Sequence, residues 1–151
     1  MSKRLPFQAL ALAALVGLTA CGEVEDTRPG QPVKTRQTAF KEIIRTFEPM
    51  GVMLREKRYE EEKFLAMAKR LIERRDAPWS HFGPDTFYPP TKASERVWQE
   101  PERFEQARQQ FFTATDKLLV AAQGKDLPSI EKAYEAAYAS CKNCHDPFKA
   151  R

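Results

Sequence analysis

Residues 126–149 read DLPSIEKAYEAAYASCKNCHDPFK. Leu127, Ile130, Tyr134, Ala137, Cys141, Cys144/His145 and Phe148 recur at intervals of three and four, the spacing that lines side chains along one face of an α-helix. Asp126 offers an N-cap oxygen, and Pro128 suits the first turn, where its missing N–H is no loss. The same period recurs three times upstream. Phe104, Ala107, Phe111, Leu118 and Ala122 form one stripe, closed by Gly124 as a C-terminal stop. Phe64/Leu65, Ala68 and Leu71/Ile72 form a shorter one that ends before Ala77-Pro78. The first stripe is Phe40, Ile43/Ile44, Phe47, Met50 and Leu54, inside which Pro49 and Gly51 predict a kink or break. Residues 76–96 hold four prolines and one glycine, and loops of that length in compact domains usually have a function. Two short connections and one long one predict an all-α fold, an antiparallel four-helix bundle with room between its helices for one large flat ligand.

Composition agrees. The 151 residues carry 25 Lys+Arg against 21 Asp+Glu, a formal charge of +4, with 42% hydrophobic and 30% charged side chains. That is a globular composition at one-domain length. Three cysteines form at most one disulfide, so the chain is no disulfide scaffold. It has no basic block, and nothing in it argues for nucleic acid as a partner.

The N-terminus reads as an address. Ser2-Lys3-Arg4 gives a positive start, and the sixteen residues Leu5–Ala20 carry no charge. A bilayer span takes ~20 residues, so this run is short for a permanent anchor and ends in small residues, as an export signal does. Leu18-Thr19-Ala20-Cys21 resembles the lipobox of bacterial lipoproteins, which implies cleavage before Cys21 and acylation of its thiol. The alternative is a soluble periplasmic protein with an incidental Cys21. Loss of residues 1–20 removes Lys3 and Arg4 and leaves 23 basic against 21 acidic side chains, a charge of +2. Residues 21–32 include GEVEDTRPGQP, polar and without apolar periodicity, and predict a flexible tether reaching at most ~36 Å. The folded domain is then 33–151, facing the periplasm at the bacterial cell envelope.

The chemistry lies at Cys141-Lys142-Asn143-Cys144-His145, a C-x-x-C-H motif and the attachment signature of a c-type haem. On a helix these three side chains share a face. Two thiols there can bond the two vinyl groups of a haem, and His145 then lies beneath the iron as axial ligand. Three rival readings are weaker. Structural zinc wants about four ligands, and beyond this trio the chain offers His81 and carboxylates. A redox C-x-x-C wants a βαβ setting, and a disulfide leaves His145 idle. An export signal also favours haem, because bacterial c-type assembly takes place outside the cytoplasm.

From the opening Arg36-Gln37-Thr38-Ala39-Phe40 onward, the sequence resembles the class II c-type cytochromes, and within them the cytochrome c prime family. Phe47-Glu48-Pro49-Met50 is similar to the family's F-x-x-M turn, Pro78-Trp79-Ser80-His81-Phe82-Gly83-Pro84 to its loop, and Glu95-Arg96-Val97-Trp98 with Phe104 to the start of its third helix. Gly124-Lys125-Asp126-Leu127 and Cys141–Lys149 match its last helix. The resemblance implies one covalent haem c held by Cys141 and Cys144, with His145 on the iron. It implies Arg36 and Gln37 beside the propionates, where a guanidinium fork pairs with carboxylates. Without the family, Arg36 reads as an ordinary solvated helix charge. Lys149, four residues after His145, would lie beside the proximal pocket and also suits a helix C-terminus. The loop Thr86–Ala93 would cover one haem edge. Family members also dimerise through their first two helices, which nothing in this sequence decides.

Phe40 carries the functional expectation. Low-spin relatives place a methionine ligand there, whereas Phe40 has no donor atom, so the resemblance implies a five-coordinate, high-spin iron beneath a crowded apolar face. Met50 and Met53 lie ten and thirteen residues further along, roughly 15–20 Å on a helix and too far for the same iron. Met67 reads as core filler, and His81, in the proline-rich loop, as exposed rather than a ligand. An apolar face gives bound oxygen no hydrogen bond. The expected ligands are therefore nitric oxide and, more weakly, carbon monoxide, with one-electron redox toward an unidentified partner. The alternative is a six-coordinate low-spin electron carrier. No distal acid–base pair is visible, so no enzyme is expected.

Overall fold

The computed structural model describes residues 24–150, so the expected export signal, Cys21 and the first part of the expected tether lie outside the described residues. Four long helices appear at the four stripes: α1 (Pro32–Arg55), α2 (Glu61–Arg74), α4 (Pro101–Gly124) and α5 (Leu127–Phe148). A four-residue helix, α3 (Arg96–Gln99), precedes α4, and a 3-10 turn spans Trp79–His81. The residues expected to open one third helix are thus split in two. Glu100 (φ −126°, ψ 56°) leaves the helical region because the ring of Pro101 crowds the residue before it.

Pro49 does not break α1. An interior proline costs a helix ~3 kcal/mol, but Phe47, Met50 and Met53 are all buried around it. Burial of each such side chain contributes about 1.5–3 kcal/mol, so packing overrides the local preference. The helices pack in the circuit α1–α2–α4–α5. The circuit closes where Phe47 of α1 stacks on Tyr134 of α5, centroids 4.4 Å apart and 12° from parallel. One turn on, α1 presents Gly51 to the same ring: a Cβ there would stand 2.1 Å from Tyr134 Oη. Met50, Phe64, Leu71, Leu118 and Ile130 are fully buried between the helices.

Asp126 caps α5 as its sequence predicts, accepting from the Ser129 N–H at 3.0 Å. The helix α4 stops one residue later than expected, with Lys125, not Gly124, in the left-handed region (φ 60°). Hydrogen bonding to Ser129 holds the Asp126 carboxyl below its ordinary value. The cap therefore stabilises above the unfolded carboxylate pKa of ~3.9 and is lost as pH falls through the lower folded value. Asp126→Ala is expected to lower the melting midpoint by a few degrees at pH 7, with the gap to the parent closing in acid.

The expected tether is not free over its second half. Asp26 is 1% exposed, and both its oxygens are engaged. Oδ2 accepts from the Val33 and Lys34 N–H groups at 2.9 and 3.1 Å. These are donors that the start of α1 cannot satisfy within the helix. Gly30 (φ 74°) and Gln31 (φ 43°) turn the chain to allow this. The polar composition hid one carboxylate placed to cap a helix from six residues upstream.

Candidate functional site

Cys141, Cys144 and His145 lie on the last turns of α5. Both thiols are half-buried and free of any disulfide, and Cys141 Sγ donates to the Ala137 carbonyl at 3.4 Å. Among the described residues no group of three or more His, Cys, Asp and Glu side chains converges on one point. Burial pushes both thiols up, Cys144 to about 11, so both are protonated at neutral pH. His145 is exposed; desolvation by the surrounding protein and then the nearby Lys149 cation push its pKa down, against Asp146. It is the neutral imidazole, with a free lone pair, that ligates a metal. Two free thiols and one neutral imidazole on one helix face are the donor set that a c-type haem requires.

Lys149 departs from its expected position. Helix α5 ends at Phe148, and Lys149 is extended (φ −109°, ψ 130°) and pairs with Ala93 as an isolated bridge. The loop captures the chain there: the Ser94 N–H donates to the Phe148 carbonyl at 2.8 Å, Ser94 Oγ to the Pro147 carbonyl at 2.9 Å, and the Ala150 N–H to the Lys92 carbonyl at 2.9 Å. Lys149 still acts on His145 through its charge.

Phe40 is half-buried in a wall of rings. It meets Trp79 edge-on at 5.4 Å and Phe82 at 6.3 Å. Phe82 continues to Phe104 at 5.0 Å, and Phe104 to Phe148 at 5.2 Å. The aromatic cluster thus runs from α1 through the 3-10 turn and α4 to the residue three past His145. Met50 and Met53 sit in the core, and the Met53 sulfur accepts from the Glu60 N–H. His81 is half-buried rather than exposed, because its turn packs against α1 and its carbonyl accepts from Arg36.

Arg36 is no solvated helix charge. It is 2% exposed and staples the long loop to α1. Nη1 donates to the His81 carbonyl at 2.7 Å and to Thr86 Oγ1 at 2.8 Å; Nη2 donates to the Thr86 carbonyl at 2.8 Å and to Thr91 Oγ1 at 2.7 Å. Gln37 donates to the Pro90 carbonyl at 2.8 Å. The guanidinium also lies over the Phe82 ring at 4.6 Å. Every contacting acceptor is neutral, so the buried charge keeps its positive potential. Burial depresses its pKa, and Tyr88 and Asp26 act in the opposite sense. Asp26, Tyr88, Thr86, Thr91 and Ser94 were not singled out from the sequence. Their only signal is hydrogen-bonding capacity in a loop, which names no partner.

Residues 31–149 match the family model described as Cytochrome C'. A cytochrome c′ from Rubrivivax gelatinosus is 32% identical over 126 residues, 82% of this chain and 98% of the relative. The solved cytochrome c prime from Shewanella frigidimarina superposes with a TM-score of 0.78 at 28% identity, covering 83% of this chain and 98% of its own. A mutant cytochrome c prime from Alcaligenes xylosoxidans, solved as its nitric oxide complex, gives a TM-score of 0.77 at 30% identity over 84% of this chain and all of its own. Another variant of that protein is known with carbon monoxide bound. A match that starts just before Pro32 and ends at Lys149 takes in all four long helices and the whole attachment motif, and the chain belongs to the cytochrome c′ family and carries its covalently bound c-type haem.

Proposed function

We propose that this protein binds nitric oxide, and carbon monoxide more weakly, at a five-coordinate high-spin haem c, and exchanges single electrons at the cell envelope. It acts as a binder and electron exchanger rather than an enzyme. When bound, the haem supplies an iron that takes up diatomic gases and one electron. Cys141 and Cys144 hold it covalently, and His145 presents a neutral nitrogen from the α5 side. Lys149 keeps positive charge near that nitrogen. The buried Arg36 guanidinium, with Gln37 beside it and no carboxylate in contact with it, offers a cation to the propionate carboxylates.

Phe40 carries this reading. It has no donor atom, and Trp79 and Phe82 hold it in a wall of rings. Such a wall excludes water and offers no hydrogen bond to a bound ligand, which disfavours oxygen and large ligands. The nitric oxide and carbon monoxide complexes of the Alcaligenes xylosoxidans relative support the same ligand class. Export with acylation of Cys21 would tether the domain to the membrane on the periplasmic side, and an intact mass measured after membrane extraction tests it.

The deciding experiment is the absorption and electron spin resonance spectrum of the purified protein, oxidised and reduced, before and after nitric oxide. A high-spin spectrum that changes on nitric oxide addition is the expected result. A low-spin spectrum unmoved by the gas would overturn the reading and make the protein an electron carrier with a sixth side-chain ligand.

A further inference from the structure

The family match begins at residue 31, yet the best-satisfied carboxylate in the described chain precedes it. Besides the two helix N–H groups it caps, Asp26 accepts from Tyr88 Oη at 2.8 Å and the Arg28 N–H at 3.3 Å. Arg28 in turn lies 3.8 Å over the Tyr88 ring and donates to the Asp85 carbonyl at 2.7 Å. Residues 26 and 28 thus grip the loop at 85 and 88, on either side of Thr86, which takes two of the four Arg36 hydrogen bonds. A buried cation without a contacting anion is costly. Asp26 is as buried as Arg36 and holds the same loop two residues from Thr86, and of the described groups that offset the desolvation of Arg36, Tyr88 and then Asp26, it is the carboxylate.

We propose that Asp26 is a positioning residue of the haem site: it ties the segment ahead of the family core to the Tyr88 loop and supplies the countercharge for Arg36, so that this segment and the loop behave as one unit. This rests on the haem-edge placement of the loop given above. Two consequences separate it from a mere helix cap. Breaking the Asp26–Tyr88 bond, which spans 62 residues, loosens the loop that Arg36 holds. Removing the carboxylate charge also raises the reduction potential, because negative charge near a haem favours the more positive ferric state.

The test uses the full-length haem-loaded protein, its Asp26→Asn variant and its Tyr88→Phe variant. The latter keeps the ring under Arg28 and the carboxylate, losing only the hydroxyl. Amide hydrogen exchange at Thr86–Tyr88 and Thr91 is expected to quicken at least tenfold in both variants. The midpoint potential is expected to rise in Asp26→Asn and stay at the parent value in Tyr88→Phe. Loop exchange unchanged in Tyr88→Phe, or an unshifted potential in Asp26→Asn, would overturn the proposal. Should Asp26→Asn fail to fold, the Tyr88→Phe exchange result still decides the coupling. Nitric oxide binding by the parent is scored separately, so failure of the gas-binding reading is distinguishable.

Discussion

Replacing Phe40 by methionine is expected to turn a high-spin spectrum into a low-spin one and to weaken nitric oxide binding at least tenfold. Residue 40 stands on α1 in the aromatic wall formed with Trp79 and Phe82. A thioether in that place brings a sulfur donor where the parent has only a ring. An incoming gas must then displace a bond, and each 1.4 kcal/mol of that bond weakens binding about tenfold. Loss of the edge-on contacts costs ~1 kcal/mol of stability, too little to unfold a domain of this size. The absorption spectrum and a nitric oxide titration check the result. An unchanged high-spin spectrum would show that residue 40 does not face the iron, and would remove the main support for the gas-binding reading.

Gly51→Ala is expected to destabilise the fold by about 2–3 kcal/mol, an overpacking cost, and to lower the melting midpoint by roughly 10 °C. Intrinsic preference points the other way, since alanine in a helix interior is favoured over glycine by ~1 kcal/mol. Geometry decides. A Cβ at position 51 would meet Tyr134 Oη at 2.1 Å and Cζ at 2.6 Å. That ring is pinned against Phe47 and cannot swing clear. Tyr134 lies on α5, so the substitution forces apart the helix that bears the attachment motif and the helix that bears Phe40. Thermal melting followed by circular dichroism checks it, and a midpoint equal to or above the parent's would show that the helices separate freely.

Local patterns were legible in the sequence, and partnerships across the fold were not. The four stripes, the Asp126 cap and the shared face of Cys141, Cys144 and His145 each depend on residues within two turns of one another, and each stands where the sequence places it. Arg36 was legible as a residue type at a motif position, but its acceptors lie 45–55 residues away. They depend on a loop path that four prolines leave undetermined. The tether was misread over residues 26–31 because a capping carboxylate and a linker carboxylate are identical in composition. Lys149 was extrapolated along a helix that the Ser94 contacts end one residue earlier. Pro49 was read by its local cost, whereas the packing around it sets the outcome.

The clasp between residues 92–94 and the chain end at 147–150 joins segments more than fifty positions apart. Contacts of such separation must overcome a loop-closure penalty before they form, so they come late in folding. The capped start of α5 needs only Asp126 and Ser129, whereas its final turn has to wait for the proline-rich loop to be laid down. Without the clasp, the turn that carries Cys144 and His145 would have no anchor on the proline-rich loop.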